Sequence, residues 1–213
     1  MNAKPLASLT QAVTILLGLC ALDVVIATVL RGMLYVKVSK LGQDGGWQFP
    51  SRDLMDVVEV SQIAVPVVSY IFFFIWLYRL NSNLRALTEA PMRFTPGWSV
   101  GWFFVPFMNF FRPYQVMLEL WRVCHAKLTA TSALLGGWWV LWLTSFAVAR
   151  VAAQSMIKAE STEQSNRALL LVMAADLLEC LKFILMLLVV QRLWAAYCQN
   201  IDDENQALSE PGA

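Results

Sequence analysis

The chain has 213 residues, of which 58% are hydrophobic and only 15% are charged. A water-facing surface on a domain of this size needs roughly a quarter of its residues charged, so this composition excludes an ordinary soluble domain. The net charge of +1 gives no electrostatic footprint for nucleic acid and none for an acidic partner.

The first predicted element is a helix over 6–33, whose apolar run from Ala12 to Leu30 is interrupted by charge only at Asp23. It exceeds the apolar core of a secretory signal, and Leu19 stands before Cys20 where a lipoprotein cleavage site requires a small residue. It is read as an uncleaved first span. A flexible turn at Gly42–Gly46 follows, then a second span over 57–78 in which Pro66 predicts a kink. The third span, 129–149, ends at Arg150. A polar turn over Glu160–Asn166 leads into the fourth, 168–191, which carries Asp176, Glu179 and Lys182. Each run is about 20 residues or more, enough at about 1.5 Å per residue to cross a hydrocarbon core of about 30 Å. Residues 202–213 are acidic, contain Pro and Gly, and read as a disordered tail.

Between the second and third spans lies FTPGWSVGWFFVPFMNFFRPYQVMLELW, from Phe94 to Trp121. The stretch Gly97–Phe111 is too short for a crossing, and Pro106 and Pro113 push the residues before them out of the helical region. A short interfacial or re-entrant element is expected instead, followed by a helix with Pro113 at its first position. In that helix Gln115, Glu119 and Arg122 fall at i, i+4 and i+7 among apolar residues, the pattern of a helix lying in the headgroup plane. The expected fold is therefore an all-α integral membrane protein. It has four transmembrane helices plus a central cytoplasmic interfacial or re-entrant helical element at about 94–127, all within one domain over 1–201.

Orientation follows from basic residues. Six of them, Arg79, Arg85, Arg93, Arg112, Arg122 and Lys127, lie between the second and third spans, which places that connection and both termini in the cytoplasm. Arg31, Lys37, Lys40 and Arg52 in the first external loop, with Lys158 and Arg167 in the second, oppose this. Trp76, Tyr78, Trp98, Trp102, Trp121, Trp194 and Tyr197 then form an aromatic belt at one membrane face.

Asp23, Arg150, Asp176, Glu179 and Lys182 lie within or at the ends of the spans. An ionised side chain at the bilayer centre costs about 2.5–3.5 kcal/mol on insertion scales, so each should face protein or water and hold a partner. Arg150 and Asp176 fall at nearly equal depth about the connecting turn and are expected to pair. Glu179 is expected to pair with Lys182 at i+3, with Asp23 as the other acid in reach of Lys182. Internal ion pairs fixing helix register outweigh a proton or ion path as the reading of these charges.

Catalytic patterns are absent from the sequence. No GxSxG, HExxH or phosphate-binding glycine loop occurs, and adjacent Cys124 and His125 point about 100° apart on a helix. With one histidine and no paired cysteines, a zinc site and any other cofactor are not expected. The chain is thus expected not to be an enzyme.

The run Thr95-Pro96-Gly97-Trp98, Val100-Gly101-Trp102, Pro106, Asn109, Arg112-Pro113, Gln115 and Glu119-Leu120-Trp121 resembles the core motif of a bacterial membrane-protein family known as a domain of unknown function, DUF4328. The similarity extends from about Ser51 to Tyr197. It implies a bacterial multi-pass protein of the inner membrane and imports no activity. The expected role is a non-enzymatic membrane protein that binds anionic lipid headgroups, a membrane-protein partner or a second copy of itself through the aromatic and basic element. The alternative is a component of an oligomeric small-solute, ion or proton transporter or channel.

Overall fold

The structure, a computed structural model, describes residues 4–40, 51–88, 91–125 and 132–209. Six α-helices account for nearly all of them: α1 (Lys4–Lys40), α2 (Arg52–Leu87), α3 (Pro96–Gly101), α4 (Arg112–Cys124), α5 (Ala133–Ile157) and α6 (Thr162–Ser209), with a 3₁₀ turn at Met108–Phe110. No strand occurs among the described residues.

Local chemistry sets several helix starts. The Ser51, Thr95, Ser132 and Ser161 hydroxyls accept the otherwise unpaired amides of Leu54, Trp98, Leu135 and Gln164. At α6 the cap is reciprocal, because the Gln164 side chain accepts the Ser161 and Glu160 amides at 3.3 and 2.8 Å. This cap starts α6 at Thr162, so the connecting turn is shorter than the expected Glu160–Asn166.

Among the described residues three helical stretches, Leu6–Val36, Arg52–Leu87 and Ala133–Ile157, are long and apolar enough to cross a membrane. The expectation was four. The fourth run lies in α6, where Asp176, Glu179 and Lys182, then Arg192, break its apolar character. The helix also continues to Ser209, through most of the tail expected to be disordered; residues 210–213 lie outside the described residues, as do Gly42–Gly46, Lys127 and the start of the expected third span. The stretch 97–111 is no crossing: the six residues of α3 extend only about 9 Å.

On α1 the buried positions Leu6, Thr10, Val13, Leu17, Cys20, Val24, Ala27 and Leu30 recur every three or four residues, one face of a helix. Between them Ile15, Leu22, Ile26 and Val29 are exposed, where a helix facing water would carry polar groups.

The chain forms two compact units, each drawing stretches from α1, α2, α5 and α6. The first comprises Met1–Ile15, Tyr70–Gly137 and Leu185–Ala213. Its core is built from Leu6, Trp76, Leu80, Leu84, Val116, Met117, Leu120, Leu193 and Tyr197, all at most 1% exposed. Burying each of these large side chains contributes roughly 1.5–3 kcal/mol. Two polar side chains here are matched: Trp76 Nε1 donates to Thr10 Oγ1 at 3.0 Å, and Asn200 Nδ2 donates to the Cys124 carbonyl at 2.9 Å.

The second unit comprises Leu16–Ser69 and Trp138–Ile184. Ala27, Leu30 and Val58 form a small core against Leu54 and Met55. Cys20 and Ser69 bridge α1 and α2 through an Sγ–Oγ contact of 3.0 Å. Gly32 faces the Met173 methyl, which an added Cβ would meet at 3.5 Å, so α1 and α6 approach closely there.

Candidate functional site at the aromatic and basic motif

The motif lies wholly in the first unit, and its centre is the loop joining α2 to α3. Three side chains hold the backbone of this loop. From α2, Arg85 Nη2 donates to the carbonyls of Met92 and Phe94 at 2.8 and 2.7 Å. Asn81, fully buried, donates to the Phe94 carbonyl at 3.1 Å and accepts from Arg85 Nε at 3.1 Å. From α4, the two carboxylate oxygens of Glu119 accept the Arg93 and Phe94 amides at 2.6 and 3.1 Å. The carbonyls of Met92 and Phe94 and the amides of Arg93 and Phe94 are thus held by bonds to charged side chains, stronger than neutral ones.

Two guanidinium groups lie near the ring of the clamped Phe94. The Arg93 and Arg112 guanidinium carbons lie 5.5 and 6.0 Å from the centroid of the buried Phe94 ring, and Arg112 is 5.3 Å from the Trp102 ring. Arg112 also donates to Gln115 Oε1 at 3.0 Å. Among the described residues neither Arg93 nor Arg112 has a carboxylate within ion-pair distance. Two open clefts share Arg93 and Phe94. One of about 170 Å³ is lined by Thr95, Trp98, Trp102 and Arg112; the other, of about 300 Å³, by Gln115, Leu118, Glu119 and Arg122.

The remaining motif residues shape the surface beside the clefts. Pro96 opens α3, where its missing amide costs nothing, and Ser99 Oγ returns to the Pro96 carbonyl at 2.6 Å. Gly101 lies under the Trp98 ring, which an added Cβ would meet at 3.2 Å, and Trp98 and Trp102 have ring centroids 4.7 Å apart. Gly97 has open space around it, so packing does not explain that glycine. Phe103 and Phe104 rest on Phe74 of α2 with centroids 5.1 and 5.3 Å away. Beyond exposed Pro106, Phe107 adopts φ 63° and ψ −39° in a tight turn closed by the Met108 amide on the Pro106 carbonyl at 2.7 Å, a positive-φ conformation costing a non-glycine residue about 1–3 kcal/mol. Its ring is 80% exposed, alongside exposed Phe104 and Phe111. Asn109 Oδ1 and Trp102 Nε1 are buried without a hydrogen-bond partner among the described residues.

In α4 the apolar face, expected to meet lipid, packs on protein instead. Pro113, Val116, Met117 and Leu120 are buried against protein, so the apolar face serves the core of the first unit. An amphipathic pattern cannot distinguish a lipid surface from a protein core. Trp121 stacks on His125 at 4.3 Å, and burial pushes the Cys124 thiol up to about 12, so at neutral pH this cysteine offers no thiolate.

The charged residues of the spans gather in the second unit but pair differently from expectation. Asp176 bonds Arg31 Nη1 at 2.5 Å and accepts from Thr28 Oγ1 at 3.4 Å, while Arg150 is exposed. Equal depth about a short turn relates only adjacent helices, and Arg31 lies on neither α5 nor α6. Arg31 lies within α1 and reaches Asp176 on α6. Glu179 pairs with Lys182, as the i+3 spacing suggested. Asp23 instead accepts from Ser61 Oγ and Gln62 Nε2, both at 2.8 Å.

Sequence reasoning missed Asn81, Arg85 and Phe94 as parts of the site. Arg85 was counted only as a topological charge, and its spacing to the loop was the one available signal.

The chain is thus an all-α protein with three helices apolar enough for a membrane and an arginine–aromatic surface on a clamped loop. It belongs to the family described as Domain of unknown function (DUF4328), whose model matches residues 49–195. Comparison with curated proteins and with solved structures finds no match.

Proposed function

We propose that this is a multi-pass bacterial inner-membrane protein, without enzymatic activity, that binds anionic lipid headgroups through the aromatic and basic element at the cytoplasmic face. The observation that carries this reading is the clamped 92–94 loop, whose Arg93 lines one cleft with Arg112, Trp98 and Trp102, in a segment that also exposes Phe104, Phe107 and Phe111. Basic residues near a membrane surface gain about 1 kcal/mol each from anionic lipid, and exposed aromatic rings suit the headgroup region.

In this reading α6 crosses beside the three more apolar helices and both termini are cytoplasmic. Its support is that Asp176 is neutralised by Arg31, and Glu179 by Lys182, within protein. The Arg31 pair also removes one of the basic residues that opposed this orientation. Cysteines placed at exposed Arg79, Lys158 and Asn205 test it in intact cells. Only position 158 should react with an impermeant probe. Labelling of 205 from outside contradicts an α6 crossing, and labelling of 79 contradicts the orientation.

The transporter reading keeps one observation: the Asp23 carboxylate is bonded by the neutral groups of Ser61 and Gln62. If it holds, the chain reconstituted in liposomes conducts protons or ions and Asp23→Asn abolishes the flux. Absence of flux in the unaltered chain rejects it.

A further inference from the structure

We infer that the cleft between Arg93 and Arg112 is a built seat for the phosphate of an anionic phospholipid headgroup, an inference that rests on the lipid-facing reading above. Three features go beyond a merely basic surface. Both guanidinium carbons lie within 6.0 Å of the centroid of one buried ring, Phe94, and both arginines line a single cleft of about 170 Å³ with Thr95, Trp98 and Trp102. That volume suits a headgroup phosphate and its nearest atoms, and is small for a folded segment of protein. Neither arginine is neutralised by a carboxylate among the described residues. The nearest acid of the motif, Glu119, has both oxygens committed to the Arg93 and Phe94 amides.

The loop carrying Arg93 is also fixed in advance. Asn81, Arg85 and Glu119 hold its backbone from two helices, so ligand binding need not order it. A guanidinium presents parallel N–H donors that match phosphate oxygens, whereas lysines would supply only point charges. The bilayer source is favoured over a free anion because the exposed ring of Trp98 borders the same cleft, and Phe104, Phe107 and Phe111 follow closely in the chain. Glu119 is a positioning residue here; Arg93 and Arg112 are the ligand-binding ones.

Native mass spectrometry of the full chain in mild detergent tests the seat, with phosphatidylglycerol, phosphatidylcholine and inorganic phosphate added in separate arms. The expected result is preferential retention of phosphatidylglycerol. Retention should fall about tenfold in Arg93→Gln/Arg112→Gln and stay unchanged in Lys158→Gln, a charge removed elsewhere. Equal retention by the double variant, or an equal fall in Lys158→Gln, overturns the site. Retention of inorganic phosphate without lipid preference overturns the lipid assignment. Should the double variant misfold, amide exchange of the unaltered chain decides. Residues 95–102 should slow with phosphatidylglycerol and not with phosphatidylcholine, and no slowing overturns the site. A polarity-sensitive dye on a cysteine at Phe104 in nanodiscs separates the two levels. A lipid-like signal without phosphatidylglycerol preference sinks this seat alone, and an aqueous signal sinks the reading beneath it.

Discussion

Glu119 shows how one side chain can be visible in a motif while its task stays hidden. Its place on a polar helical stripe was legible, but its partners are two backbone amides 25 and 26 residues away in the chain. Backbone amides occur at every non-proline residue and leave no mark in a sequence. Glu119→Ala should release both amides and cost about 2–4 kcal/mol, with Glu119→Gln intermediate because one amide oxygen replaces two charged acceptors. Thermal unfolding in detergent and exchange rates at Arg93 and Phe94 measure this. Unchanged exchange in the alanine variant would show that the clamp does not depend on Glu119.

Cys124 gives a pH prediction at the same scale. Burial raises its folded-state value from 9.0 to about 12, so the neutral thiol is favoured in the fold. Its contribution to stability is present in full below pH 9 and is lost as pH rises from there through about 12. A Cys124→Ser variant should show a shallower fall over that window in pH-dependent unfolding. A maleimide should leave Cys124 unmodified at pH 8 until the chain is unfolded.

The turn from Val105 to Phe111 is the element whose conformation conflicts most with its sequence. Phe107 occupies a backbone region suited to glycine and keeps its ring in the open. Phe107→Gly should therefore stabilise the turn by about 1 kcal/mol while weakening bilayer attachment. If stability rises with no loss of attachment, the ring has no membrane role. The long helices were legible because their apolar runs far exceed any turn, but Pro113, expected at the first position of α4, is its second residue, since Arg112 before it is already helical. The destination of the apolar face of α4 was not legible, since Val116, Met117 and Leu120 would look the same against lipid or protein.

At the scale of the molecule, the pairing of Asp176 was hidden for a related reason. Sequence offsets fix relative depth only between helices joined by a short turn, and Arg31 lies 145 residues from its partner. Arg31→Leu or Asp176→Leu alone should strand the other charge at about 3–5 kcal/mol and lower the yield of folded protein. The double leucine variant should recover most of it, and a double variant no better than the singles would remove this pair from the fold's support.

Depth-resolved quenching of Trp98 fluorescence most directly tests whether the aromatic and basic element lies at the membrane face. The signal of the reconstituted chain is compared with that of Trp98→Phe, using lipids brominated near the headgroup or near the acyl ends. Bromine near the headgroup should quench the Trp98 contribution strongly and bromine near the acyl ends only weakly. Strong quenching from the acyl ends, or none from either lipid, would contradict a surface placement.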